Sequence, residues 1–400
     1  MEAQLYFYLE PYVYYFISSN GLILINLLDD KLLYFTDTAS INVVNAIQKS
    51  SKRVALIGKS DLKTPVVSQT ILHFMGDIVE TDLIPLQFDS EINNLSDKEA
   101  YRKSIKFTRH GIGTLISECF VISDLNDLTS SKLLTLLSGI DGWNGNSLID
   151  KVMTPARIKE VIDEIYDVNP DIHFFVTNPN EETLKSLIQS TNLSENIIPI
   201  YSSEDFLTNP QLYQYIGKSN MCFKLIIPSL FSLDEFRIDK SKNVFMLAIT
   251  DKKDMEYYET LIEKGYNVEV YPVLTKNNYS FILSLFDWSL DDLKGLKDKY
   301  RRIKQNNLIN SNIWGRIFVN PKGEIAYSPL EIYNGASIGS NFFEFFHKTL
   351  IKGDFAWTQI RNYPQCSSCC FKYLCPSPSP LEDYLLEKQF WECHLIEGQK

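Results

Sequence analysis

Between residues 113 and 273 the sequence alternates short apolar runs with longer mixed ones. The runs 172–177, 197–201, 223–228, 244–250 and 268–273 are near-continuous in apolar and β-branched residues, and 115–122 has the same character. A run with little polar alternation is a strand covered on both faces. Such strands belong to parallel sheets whose crossovers are helices. The intervening stretches predict helices at 131–137, 155–166, 181–190, 209–216 and 253–264. Six strands in this rhythm predict an α/β fold, an open or partial (β/α) barrel occupying 113–310. Further helices are expected at 279–286 and 290–304. A hairpin of 313–319 with 324–328 follows, turning at Asn320-Pro-Lys-Gly323, and then a helix at 342–350.

The N-terminal part reads differently. Strands are predicted at 12–18, 22–28 and 31–35, separated by Asn20-Gly21 and Asp29-Asp30, both favourable hairpin turn pairs. A helix over 38–50, with Ser40 as its cap, completes a β-rich module of residues 1–55. Its bland reading is a structural meander. Its sharper reading is a peptide-binding module with an exposed strand edge. Residues 56–112 carry mixed signals and form a connecting segment; helical spacing shows over 66–79.

Five of the seven cysteines fall between 366 and 393. Cys366 and Cys369 form a C-x2-C knuckle, Cys375 follows, and Cys393 stands beside His394. Four thiolates suit tetrahedral zinc or a [4Fe–4S] cluster. The competing reading is disulfides, which need an oxidising compartment. The run 5–17 carries Glu10 and Pro11 and lacks a basic leader and a cleavage site, so no secretory signal is expected. No run reaches the roughly 18 apolar residues that span a bilayer. A cytoplasmic protein without membrane association is expected.

The net charge of −11 argues against nonspecific binding to nucleic acid or an anionic surface. The basic run from Lys294 to Lys304 reads as the solvated face of a helix. No H-E-x-x-H, G-x-S-x-G or P-loop pattern occurs, and Gly139–Gly145 lacks the Lys-Ser/Thr ending of a phosphate cradle. His173 reads as a core or strand-end residue.

Taken together, these pieces resemble a known family. The strand–helix repeats, the hairpin Arg316-Ile-Phe-Val-Asn-Pro-Lys-Gly-Glu-Ile-Ala-Tyr-Ser328, and C-x2-C-x5-C with a late cysteine resemble radical SAM enzymes with a C-terminal SPASM domain. The opening Tyr6-Phe-Tyr-Leu-Glu-Pro-Tyr12, the run Cys369-Cys-Phe-Lys-Tyr-Leu-Cys-Pro376 and Cys393-His394 look more narrowly like pseudo-radical-SAM proteins. Those are encoded with ribosomally made peptide natural products, notably in Bacteroidetes. The resemblance implies a partial (β/α)6 TIM-like barrel at 113–310 and a SPASM-like metal-binding cap at 311–400. Residues 1–50 resemble, loosely, peptide-recognition modules.

The departures from the family matter as much. Its C-x3-C-x2-C motif after the first strand is absent, and Cys119 is the single cysteine there. Cleavage of S-adenosylmethionine is therefore not expected. The hairpin lacks its cysteine pair, and Ser379 stands where another cluster cysteine is expected. The resemblance then assigns Cys366, Cys369, Cys375 and Cys393 to one auxiliary-type [4Fe–4S] cluster, with zinc as the alternative. Cys370 is left as a spare thiol, and His394 either bonds a cluster sulfur or faces solvent. The expected function is a catalytically silent accessory protein that binds a precursor peptide or a partner maturase. Two other readings stand beside it. One is an enzyme with non-radical chemistry at the strand ends, where Asp141, Asn178 and Thr250 lie. The other is a structural zinc scaffold.

Overall fold

A computed structural model describes residues 5–10, 12–50, 54–80, 115–142, 151–189, 195–219, 221–233, 239–286, 288–337, 341–352, 355–388 and 393. The fold is mixed α/β around a nine-stranded, mostly parallel sheet. His394 and all of 81–112, His110 included, lie outside the described residues.

The N-terminal strands are β1 (Leu5–Leu9), β2 (Val13–Ser18), β3 (Gly21–Asn26) and β4 (Leu32–Phe35). Helix α1 (Thr38–Lys49), β5 (Val54–Ile57), α2 (Pro65–Leu72) and β6 (Gly76–Glu80) follow. They form two three-stranded antiparallel sheets, ordered β2-β3-β4 and β5-β1-β6. The predicted strands and helix are present, but β1 is an addition, and it recruits β5 and β6 from beyond residue 50. One apolar cluster runs from Phe7 through Val44 and Ile57 to Met75, so this unit continues past residue 55. The cap of α1 is Asp37, whose carboxylate accepts from the Ser40 N–H. Ser40 is instead buried, its hydroxyl accepting from the N–H of Val66.

The large sheet begins at β7 (Glu118–Val121), followed by α3 (Leu128–Ser138), α4 (Pro155–Tyr166), β8 (His173–Thr177) and α5 (Glu181–Gln189). Next come β9 (Ile197–Ser202), α6 (Ser203–Thr208), α7 (Pro210–Ser219) and β10 (Lys224–Ile227). Then β11 (Val244–Ile249), α8 (Lys252–Glu263), β12 (Asn267–Pro272) and α9 (Tyr279–Leu285). Strands β7 to β12 pair in parallel in their chain order. Helices α10 (Leu290–Gly295) and α11 (Lys299–Leu308) precede β13 (Arg316–Val319), β14 (Glu324–Ala326) and β15 (Ala336–Ser337). Strand β13 joins β7 in parallel, and β14 and β15 extend that edge antiparallel. Helices α12 (Phe342–Lys352), α13 (Pro364–Ser367) and α14 (Pro380–Glu387) complete the described chain.

Strand alternation separates two apolar faces. Cys119, Val121, Phe174, Val176, Leu225 and Phe245 point into a cluster with α4, α5, α7 and α12. Phe120, Phe175, Ile200, Ile226, Met246 and Phe318 point the other way, onto Leu133, Leu134 and Leu136 of α3. Helix α3 touches β9, β10, β12 and the 3-10 segment Pro329–Asn334 beyond β14. A flat run from β12 to β14 would be about 34 Å wide at ~4.8 Å per strand. A helix is only about 10–12 Å across with its side chains. The sheet must therefore curl around α3. Burial and then Glu269 raise the pKa of Tyr271 on β12.

Helix α3 is pinned at both ends. At its start the Ser130 hydroxyl bonds Thr177 at 2.9 Å and the Thr129 hydroxyl donates to Asp205 at 2.6 Å. At its end Gly139 has φ +73, and a Cβ there would lie 2.7 Å from Leu381 Cβ. No helix among the described residues is long and apolar enough to cross a membrane.

The predicted helix 290–304 is two helices, broken where Asp298 takes φ +52. The basic run is also not a uniformly solvated face. Lys299 is buried, and its ammonium donates to the carbonyls of Lys294 and Leu296, closing the end of α10. Asp30 accepts from the N–H groups of Asp298 and Lys299, tying the N-terminal unit to this corner. His173 sits exposed at the start of β8.

Candidate metal centre

The cysteine stretch is shaped by tight turns. Pro364 opens α13 with a ring-fixed φ. The Cys369 N–H then donates to Cys366 O at 3.1 Å, and the Cys375 N–H to Phe371 O at 2.9 Å. Cys366, Cys369 and Cys370 are buried; Cys375 and Cys393 are half-buried. No disulfide joins any of the seven cysteines.

Four sulfurs share one electrostatic neighbourhood. Burial raises the Cys375 thiol first, Arg361 opposes it, and Cys369, Cys393 and Cys366 add to the rise. Cys369 is lowered: the Cys370 thiol bonds it, burial opposes, and the Phe371 N–H, Asn20 and Arg361 support its charge. Cys366 is raised by burial despite the neighbouring guanidinium of Arg361. Cys370 is thus not idle. It packs against the N-terminal sheet beside Tyr14 and Ile25, with its thiol turned to Cys369.

Sequence reasoning missed the residues that frame this stretch. Arg361 and Glu382 are 7% and 6% exposed and form an ion pair with contacts of 2.7 and 2.9 Å. Arg361 Nε also donates to Pro376 O at 2.6 Å. Burial opposes the charge of Arg361, but Glu382, Cys375 and Cys366 outweigh it and raise its pKa. Burial raises Glu382 as well, which taken alone would favour its neutral form. The two-contact geometry decides for the ionised pair. Asn306 of α11 donates to the carbonyls of Tyr373 and Cys375 at 3.1 and 2.9 Å, and Asn310 to Pro378 O at 3.1 Å. Asparagines in and just beyond a helix give no local signal of this role, because their partners lie almost 70 residues away.

Cys366, Cys369, Cys375 and Cys393 supply the donor type of a four-thiolate centre, and none of them is drawn into a disulfide. Geometrically the cage is not drawn closed. Among the described residues no three His, Cys, Asp or Glu side chains already converge on one metal position.

The strand-end residues do not assemble. Thr250 donates to Asp254 at 2.7 Å as part of the start of α8. Asn178 leaves β8 with φ +40, and its N–H donates to Ile200 O. Asp141 is exposed beyond Gly139. No hydrogen bond or ion pair joins the three.

No family model matches the chain. No curated protein matches it. Among solved structures it is similar to Streptococcus suis SuiB bound to the precursor peptide SuiA, at a TM-score of 0.34 and 11% identity, over 92% of this chain and 94% of that one.

Proposed function

We propose that this chain is a catalytically silent relative of radical SAM peptide-modifying enzymes. It holds a precursor peptide or a partner maturase and keeps one auxiliary-type four-thiolate centre on Cys366, Cys369, Cys375 and Cys393. The observation carrying this reading is the filled inner face of the parallel sheet. In a (β/α) barrel, chemistry sits at the carboxyl ends of the strands. Here α3 lies against that face, with Leu133 and Leu134 at 0% and 1% exposure. The ends of β8 and β9 are engaged by its first turn, through Thr177 and the Ser202 N–H. Cys119, the cysteine of β7, is fully buried in the opposite cluster with the outer helices. With α3 packed on that face and Cys119 the single cysteine near β7, this reading expects no cluster open to S-adenosylmethionine.

The N-terminal unit offers outer strands for a peptide to join: β2 and β4 in one sheet, β5 and β6 in the other. Only the first two lie within residues 1–50.

The test is anaerobic purification with counts of iron, sulfide and zinc per chain. The expected result is about four iron with matching sulfide, a visible band bleached by dithionite, and no 5′-deoxyadenosine on incubation with S-adenosylmethionine. Zinc alone would favour the scaffold reading. A second cluster, or 5′-deoxyadenosine, would overturn the proposal.

A further inference from the structure

At the end of α2 the chain takes a turn suited to glycine. The Met75 N–H donates to Thr70 O at 2.7 Å and the Phe74 N–H to Ile71 O at 3.1 Å. Such a pair of bonds is a Schellman closure, whose left-handed position glycine ordinarily fills. Here that position holds Phe74, at φ +55. A bulky side chain at such a φ costs stability, and strain of this kind persists where function uses it. The ring buries little in return, since Phe74 is 80% exposed. Leu72, two residues earlier, is 70% exposed. The Tyr12 hydroxyl donates to Phe74 O, and Tyr12 O accepts from the Leu27 N–H at 3.0 Å, next to the exposed Leu28. Hydrogen bonds thus link the end of α2, Tyr12 and the β3–β4 turn into one apolar patch.

Carboxylates border it. The Glu10 N–H donates to Met75 O at 2.9 Å, Asp77 follows on β6, and Asp29 stands beside Leu28. Their oxygens accept from neutral donors: the Tyr8 hydroxyl for Glu10, the Lys31 N–H for Asp29 and the Ile78 N–H for Asp77. Among the described residues no ion pair joins any of the three. After burial, the charges of Glu10 and then Asp29 raise the pKa of Tyr12, in keeping with their place at the rim. A second copy of this chain is a poor occupant, because a two-fold contact sets this acidic rim against itself.

We propose that this patch docks a cationic polypeptide segment, one of whose apolar side chains seats against Phe74 and Leu72 while its Lys or Arg side chains meet Glu10, Asp29 and Asp77. The proposal gives the place and the partner chemistry of the holding role proposed above, and rests on that reading.

The probe is a short fluorescein-labelled peptide rich in arginine and leucine, titrated against the full chain by fluorescence anisotropy. Two analogues carry glutamate for arginine, or alanine for leucine. The parent should bind the first peptide, more weakly as salt rises, and neither analogue. Phe74→Gly should weaken binding about 10- to 30-fold, as loss of an aromatic anchor does. Relief of strain should at the same time raise its thermal midpoint by ~2 °C. Leu230→Gly is the control: Leu230 is also exposed, at φ +63 after β10, so it should gain stability likewise and bind as the parent does. Glu10→Gln should cost about 2- to 5-fold in affinity and flatten the salt dependence. Equal binding by Phe74→Gly and the parent would overturn the patch and leave the holding role standing. Binding of none of the three peptides by the parent would overturn the patch and the peptide arm of that role together. Preference for the glutamate analogue, or a parent that dimerises through Phe74 and excludes the peptide, would also overturn the patch. A lowered midpoint in Phe74→Gly would show the ring packing within the fold, with the same consequence.

Discussion

Truncating Leu134 to alanine tests whether α3 is core or cover. Leu134 is 1% exposed, facing Phe120, Phe175 and Met246 from inside the curled sheet. The change removes three carbons, about 2.4 kcal/mol of transfer free energy at ~0.8 kcal/mol each. Collapse is restricted, because α3 is held between the sheet and α14, where Gly139 meets Leu381. A residual cavity on the order of 50 Å3 adds about 1.2 kcal/mol at ~24 cal/mol per Å3. The expected cost is therefore about 3.5 kcal/mol. With a urea slope of about 2.5 kcal/mol per molar, the midpoint should fall by about 1.4 M. The assay is tryptophan fluorescence, since Trp357 is fully buried in the outer cluster of the same sheet. Leu128→Ala is the control: Leu128 is on the same helix but 44% exposed, and should shift the midpoint by less than about 0.2 M. If Leu134→Ala behaves like Leu128→Ala, α3 is a displaceable cover. The inner face would then be available, and the argument for catalytic silence would fail.

Two further outcomes are expected of the C-terminal region. Arg361→Ala should cost about 3–5 kcal/mol by leaving Glu382 buried without its partner, whereas Arg361→Met with Glu382→Leu should recover most of that; thermal unfolding of the single and double variants checks both, and a loss below about 1 kcal/mol in Arg361→Ala refutes the clamp. Asp383 is raised to about 7 by burial, then Glu387, against the opposing charge of Arg361. The folded chain therefore holds a proton that the unfolded chain has released, and stability falls as pH rises from about 4 to 7. Asp383→Asn should remove that decline, adding about 1–2 kcal/mol at pH 8 after discounting for partial exposure and nothing near pH 4. Parallel stability–pH curves for the two proteins would refute it.

Much of the secondary structure was legible because it is local. Pro155 after Thr154, with apolar residues at helical spacing, specifies α4 to the residue. The runs that became β8 to β11 could be read as strands because both their faces needed cover; β12, at the sheet edge, is only partly covered. Helix α3 was visible as a helix, but not as the filling of the sheet. Its sequence did carry a signal: Leu133, Leu134, Leu136 and Leu137 lie too far round the helix for one face to hold. Strand β1 was missed because its partners, β5 and β6, lie 45 or more residues away. Lys299 was misread because a lysine in a basic run looks solvated until the carbonyls of α10 surround its ammonium.

The sequence by itself nominated Cys366, Cys369, Cys375 and Cys393 as candidate ligands, through their crowding and their resemblance to an auxiliary-cluster set. It also determined that β7 lacks the three thiolates of a radical cluster. Tertiary structure alone decided that α3 packs on one face of the sheet, that Arg361 and Glu382 pair in the interior, and that Asn20 meets the Cys370 N–H. Thiol chemistry belongs to a residue and its near neighbours. What surrounds a sulfur is set by chain segments that meet only when the whole fold closes.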